Sequence, residues 1–89
     1  MAMIWYVYML RCTKGALYTG ITTDVEVRLK VHNSGRGSKA LKALGLPARL
    51  TYLEKMFDKS SALKREAAVK KLPKAQKEVL AANFRRSPS

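Results

Sequence analysis

Acidic residues are scarce in this chain of 89 residues: 6 Asp and Glu stand against 18 Lys and Arg, for a net charge of +12. A two-metal centre needs several carboxylates side by side, and so few acids cannot supply one. With 1 cysteine (Cys12) and 1 histidine (His32), neither an internal disulfide nor a Cys/His zinc cluster can form. With 5 Gly and 3 Pro the chain is not collagen-like. No apolar run reaches the ~20 residues of a membrane helix. The run from Met1 to Leu10 has no basic segment before it and no small-residue cleavage site after it, so a strand is expected there rather than a signal peptide.

What is present suits one small folded domain. The apolar share, 47%, is that of a globular protein. A chain of this length buries somewhat over ~60% of its unfolded surface, so a shallow surface site is expected rather than an enclosed cofactor pocket. The positive charge attracts polyanions, nucleic acid first, because neutralising phosphates releases counterions. An unpaired cysteine fits a reducing, cytoplasmic setting. A single domain over residues 1–84 with a frayed tail over 85–89 is expected.

Ile4 to Arg11 and Ala16 to Thr22 read as strands, rich in aromatic and β-branched residues. Gly15 can take the left-handed conformation that a three-residue hairpin loop needs. With Thr13 to Gly15 as that loop, Cys12 faces Ala16, Leu10 faces Tyr18 and Tyr8 faces Gly20, so Tyr8 and Tyr18 share one face. Thr23-Asp24-Val25-Glu26 resembles a capping box with a hydroxyl N-cap, opening a helix that Ser34-Gly35 stops after Asn33. Ser38 to Leu44 suggests a short helical turn. Arg49 to Phe57 suggests a third strand with Leu50, Tyr52 and Glu54 on one side. Asp58 or Ser60 caps a helix to about Leu72, and Pro73 suits the first turn of a last helix. The layout ββα(α)βαα predicts an α+β fold: helices flanking a small, three-stranded, mostly antiparallel sheet.

Strand tyrosines are usually core, and a lone histidine is more often structural than catalytic. Their neighbours single these out. Arg28 and His32 lie one turn apart on one helix face, and Val25 and Leu29 on the same side draw them towards the core. A guanidinium placed there can grip a phosphate at two points. Among the acids, Asp24, Glu26 and Asp58 serve as caps or first-turn residues. Glu54 sits on a strand beside Lys55, and Glu78 can pair along its helix with Lys74 or Lys77. Glu66 can pair with Lys70, but it lies at the margin of an apolar stripe formed by Ala62, Leu63, Ala67 and Val69. A carboxylate there calls for a cation, and a single carboxylate suits one Mg²⁺ ion that keeps most of its waters.

The ordered set Tyr6-Val7-Tyr8, Tyr18-Thr19-Gly20, Arg28, His32 and Glu66 resembles the GIY-YIG endonuclease family, most of all its short stand-alone bacterial proteins. The run from Leu17 to Asp24, followed by Arg28, His32-Asn33-Ser34-Gly35 and Gly37, is similar in residue type and spacing. The resemblance covers roughly residues 4–80. Two departures stand out. The first triplet keeps only its final tyrosine, and Asn83, the only asparagine of the last helix, where some members use one, is kept out of the catalytic set.

The resemblance implies a small metal-dependent endonuclease acting on DNA, more than on RNA, with branched, nicked or damaged substrates as candidates. It implies Tyr8, Tyr18, Arg28, His32 and Glu66 as catalytic residues, with Glu66 holding one Mg²⁺ or Mn²⁺. In the implied hydrolysis Tyr18 takes the proton of the attacking water, with His32 or Tyr8 assisting. A phenol of ordinary pKa ~10 needs nearby positive charge for that task. Gly20 is expected to leave room for the substrate backbone. Arg36, Lys39, Lys42, Lys70 and Lys71 are candidates for phosphate contacts that position without reading sequence. The alternative is a nucleic-acid-binding module with a weak or silent site; an adaptor for RNA or an acidic protein is a third reading. Membrane binding is not expected, and a monomer is.

Overall fold

The protein is described from a computed structural model, which covers residues 3–86. The hairpin forms as its loop residue predicts. Gly15 takes φ of +90°, the Cys12 amide donates to the Ala16 carbonyl, and β1 (Trp5–Arg11) pairs antiparallel with β2 (Leu17–Thr22). Leu10 faces Tyr18 and Tyr8 faces Gly20, the expected register. The third strand, β3 (Arg49–Met56), joins the other side of β1, also antiparallel, giving the order β2-β1-β3. The fold is α+β, with the three-stranded antiparallel sheet flanked by helices on both faces.

Helix α1 (Val25–Asn33) is capped by Asp24, whose carboxylate accepts from the Val27 amide. The cap is therefore one residue later than the expected Thr23: a carboxylate at the positive helix end outcompetes the preceding hydroxyl. Ser38 caps the short helix α2 (Lys39–Leu44). Asp58 caps α3 (Lys59–Lys71). Pro73 immediately precedes α4 (Lys74–Arg86), its carbonyl accepting from the Gln76 and Lys77 amides. Helix α4 thus continues through the first two residues of the expected frayed tail; residues 87–89 lie outside the described residues.

Two apolar clusters form, one on each face of the sheet. Tyr8, Leu10 and Cys12 of β1 meet Leu41 and Ala48, with Val25 and Leu29 of α1 packed against them. Met9 of β1 meets Tyr52, Val69 of α3 and Ala81 of α4. Leu50 and Tyr52 fall on opposite faces, against the expectation. The register shifts between Met9 and Leu10, so Thr51 is an extra residue on β3 that reverses the alternation. Its buried hydroxyl donates to the Met9 carbonyl.

Glu78 does not pair along its own helix. Its carboxylate takes both terminal nitrogens of the Arg11 guanidinium on β1, one of them at 2.5 Å, and that guanidinium also donates to the Gly15 carbonyl. The pair ties α4 to the end of the central strand. Arg11 holds the Glu78 carboxyl below its usual pKa. A carboxylate so depressed stabilises the fold above its unfolded pKa, ~4.3, and loses that contribution as pH falls through the folded value. Because the pair is partly exposed, Glu78→Gln should cost about 1 kcal/mol in urea denaturation at pH 7. The gap between variant and wild type should close as the pH drops well below 4.3, about the unfolded value.

Candidate active site

The two phenols reach the same place from neighbouring strands because the hairpin register puts their side chains on one face. Tyr8, on the central strand, is 2% exposed. Its hydroxyl lies 3.0 Å from His32 Nε2 in a buried hydrogen bond, donor and acceptor being set by the imidazole tautomer. The Tyr18 ring stands edge-on to the same imidazole, with centroids 5.5 Å apart. His32 sits in the last turn of α1 and is more deeply buried than an edge position implied, at 1% exposure.

Arg28, one turn earlier, places its positive charge beside both the Tyr8 hydroxyl and the imidazole. Burial raises the Tyr8 phenol pKa; the Arg28 guanidinium opposes that shift, while Tyr18 and Glu66 add to it. Burial lowers the His32 pKa, and the Arg28 charge lowers it further. Glu66 is on α3, a helix that packs against the Met9 face of the sheet and runs beside the edge strand β2. Its negative charge is nevertheless felt at Tyr8. Tyr8, Tyr18 and His32 therefore meet in direct contact, and the charges of Arg28 and Glu66 act on the Tyr8 phenol of that group.

Gly20 has a different task from the one expected. A Cβ built there would lie 2.5 Å from the Tyr8 hydroxyl oxygen and 2.7 Å from Cζ. The space that glycine leaves is filled by the Tyr8 phenol, not kept for a substrate. Only a residue without a side chain lets the ring cross β2 towards the sheet edge.

The Glu66 side chain is 19% exposed and draws Lys70 Nζ to 3.4 Å, so it stands where a cation is attracted. Among the described residues, no group of three or more His, Cys, Asp or Glu could hold a metal ion. Of the candidate phosphate contacts, Lys70 is thus beside Glu66, with Lys71 exposed next to it. Arg36, Lys39 and Lys42 are exposed on the turn after α1 and on α2, without an ion pair among the described residues. A cavity of about 620 Å³ opens at the hairpin end between Arg11, Cys12, Pro47 and Arg49, and none of the five candidates lines it.

Two residues that carry the sequence resemblance, but to which the sequence assigns no role, hold this geometry. Asn33 clamps the segment before β3: its side-chain amide donates to the Ala48 carbonyl and its oxygen accepts from the Ala48 amide. Gly37 lies against the His32 ring. An asparagine in a helix's last turn and a glycine four residues past its end gave no local signal of those partners.

With this geometry in place, comparison with known proteins is informative. Residues 4–78 match the GIY-YIG catalytic domain, and the chain belongs to the GIY-YIG family, whose fold is of nuclease type. A UPF0213 protein of Yersinia enterocolitica is 51% identical over 80 residues, covering 90% of this chain and 81% of that one. One from Vibrio cholerae is 49% identical over 83 residues, covering 92% and 81%. The solution NMR structure of a UPF0213 protein from Bacillus halodurans superposes with a TM-score of 0.57 at 41% identity, covering 90% of this chain and 84% of that one.

Substituting Gly20→Ala forces a methyl against the Tyr8 phenol and should destabilise the protein by about 1–3 kcal/mol in chemical denaturation. A destabilisation below ~0.5 kcal/mol would mean that the phenol does not occupy the space above Gly20.

Proposed function

We propose that this protein is a small metal-dependent endonuclease that hydrolyses phosphodiester bonds in DNA, with branched, nicked or damaged DNA as the candidate substrates. The observation that carries the reading is the convergence of Tyr8 and Tyr18 on His32, with the charges of Arg28 and Glu66 at the same phenol. DNA is favoured as the polyanion by the family's endonuclease character and the net charge of +12. No helix among the described residues is long and apolar enough to cross a membrane. The buried Cys12 thiol, with no second cysteine, suits a reducing cytoplasm and a monomer.

The roles follow from exposure and charge. Tyr8 is sealed in the core, whereas Tyr18 is half-buried and can touch water. Tyr18 accordingly takes the proton of the water that attacks phosphorus in line, with His32 or Tyr8 as its assistant. Arg28 binds the non-bridging oxygens and stabilises the negative charge that grows on them. Glu66 would hold one divalent ion: a single carboxylate that already attracts an ammonium matches Mg²⁺ or Mn²⁺, which keep several waters. When bound, that ion supplies Lewis-acid stabilisation of the leaving oxygen. Lys70, Lys71, Arg36, Lys39 and Lys42 hold flanking phosphates and fix the strand without reading its sequence.

Purified protein incubated with labelled branched and linear DNA should cleave only when Mg²⁺ or Mn²⁺ is present. Glu66→Gln and Tyr18→Phe should each lower cleavage about a hundredfold or more while DNA binding survives. Cleavage that persists in both variants would remove these roles. Binding without cleavage in any divalent metal would leave a nucleic-acid-binding module with a silent site.

A further inference from the structure

Helix α1 ends in two backbone bonds: the Gly35 amide donates to the His32 carbonyl at 3.0 Å and the Arg36 amide to the Val31 carbonyl at 3.3 Å, with Gly35 at φ +84°. This termination folds the chain back over the last helical turn and brings Gly37 onto the face of His32. A Cβ on Gly37 would fall inside hard contact with His32 Nδ1, 2.9 Å from Cε1 and 3.1 Å from the His32 Cα. The last of these is backbone, so the added methyl can be relieved only by moving the turn or rotating the ring. Nδ1 itself is buried and has no hydrogen-bond partner among the described residues. Such an orphan is an exception in native proteins. Here it lies on the ring of a residue whose other nitrogen meets Tyr8.

We propose that Gly37 is a positioning residue: its contact with Nδ1 holds the imidazole so that Nε2, the only ring nitrogen with a partner, stays on the Tyr8 hydroxyl. The inference rests on reading Tyr8, Tyr18, Arg28 and His32 as the hydrolytic centre. The groups facing the ring are the Tyr8 phenol from β1, the Tyr18 ring from β2 and the Arg28 guanidinium from α1. Gly37 brings no side chain to the Nδ1 side, and among the described residues nothing there donates to Nδ1 or accepts from it. An imidazolium would therefore carry one N–H with nothing to receive it, next to a guanidinium. The ring stays neutral and works through one nitrogen. The lowered His32 pKa, set first by burial and then by Arg28, agrees with this.

The test is Gly37→Ala in the full chain, read by long-range ¹H–¹⁵N spectra of the imidazole alongside DNA cleavage and binding. The His32 Nε2 resonance should leave its wild-type position while the amide spectrum stays that of a folded protein. Cleavage turnover should fall about a hundredfold, and affinity for the same DNA at the same salt should change less than about twofold. A folded variant with unmoved His32 resonances overturns the proposal. Should the variant fail to fold, the wild type serves: His32 should stay neutral below ~6.5, the ordinary histidine pKa. Protonation at or above ~6.5, with both nitrogens exchanging freely, overturns it. If the resonances move as expected but wild-type protein cleaves no DNA, the hydrolytic reading fails and the positioning of His32 stands.

Discussion

The buried hydrogen bond between the Tyr8 hydroxyl and His32 Nε2 fixes the relation of the sheet to α1, and the remaining groups arrange themselves around it. Tyr8 belongs to the central strand, so its backbone is paired on both sides and cannot shift without disturbing the whole sheet. His32 belongs to a helix whose start is pinned by Asp24 and whose end is clamped to Ala48 through Asn33. Both partners are therefore held from behind, and a bond between two buried polar groups is geometrically strict. Gly20 and Gly37 are the two places where the chain withdraws its side chain so that this bond can exist.

The sheet also separates two kinds of work. On the face covered by α1 and α2, polar groups intrude into an apolar cluster: a phenol, an imidazole and a neighbouring guanidinium. On the face covered by α3 and α4, the cluster is apolar apart from the Tyr52 hydroxyl, which donates to Glu54, and Glu54 in turn accepts from Arg65. The extra residue at Thr51 lets one strand feed both clusters, sending Leu50 to the first and Tyr52 to the second. Glu66 belongs to α3, which runs beside β2, and its charge is felt by Tyr8 of the first cluster.

Features set by neighbouring residues were legible in the sequence; those set by distant ones were not. The hairpin register followed from Gly15, and the register alone put Tyr8 and Tyr18 on one face. The ends of α1 and α3 followed from Asp58 and from Ser34-Gly35, because caps are local chemistry. The bulge at Thr51 left no mark, since an extra strand residue has meaning only against a partner strand. Glu78 was assigned to lysines on its own helix because the sequence shows those neighbours and hides Arg11, which lies 67 positions away. The space at Gly20 was read as room for a ligand, when the protein's own tyrosine fills it. The meeting of Tyr8 and Tyr18 with His32 joins three elements that lie apart in the sequence, which only the family resemblance brings together.

The commitment of the acids has one more effect. Asp24 and Asp58 cap helices at the surface, and Glu54 and Glu78 are held by Arg65 and Arg11. The 6 acids offset only a third of the 18 Lys and Arg, leaving a net charge of +12. From a distance the molecule therefore presents a field of nearly one sign, which speeds diffusional encounter with a phosphate strand and fades within the ~10 Å over which salt at 0.1 M screens it.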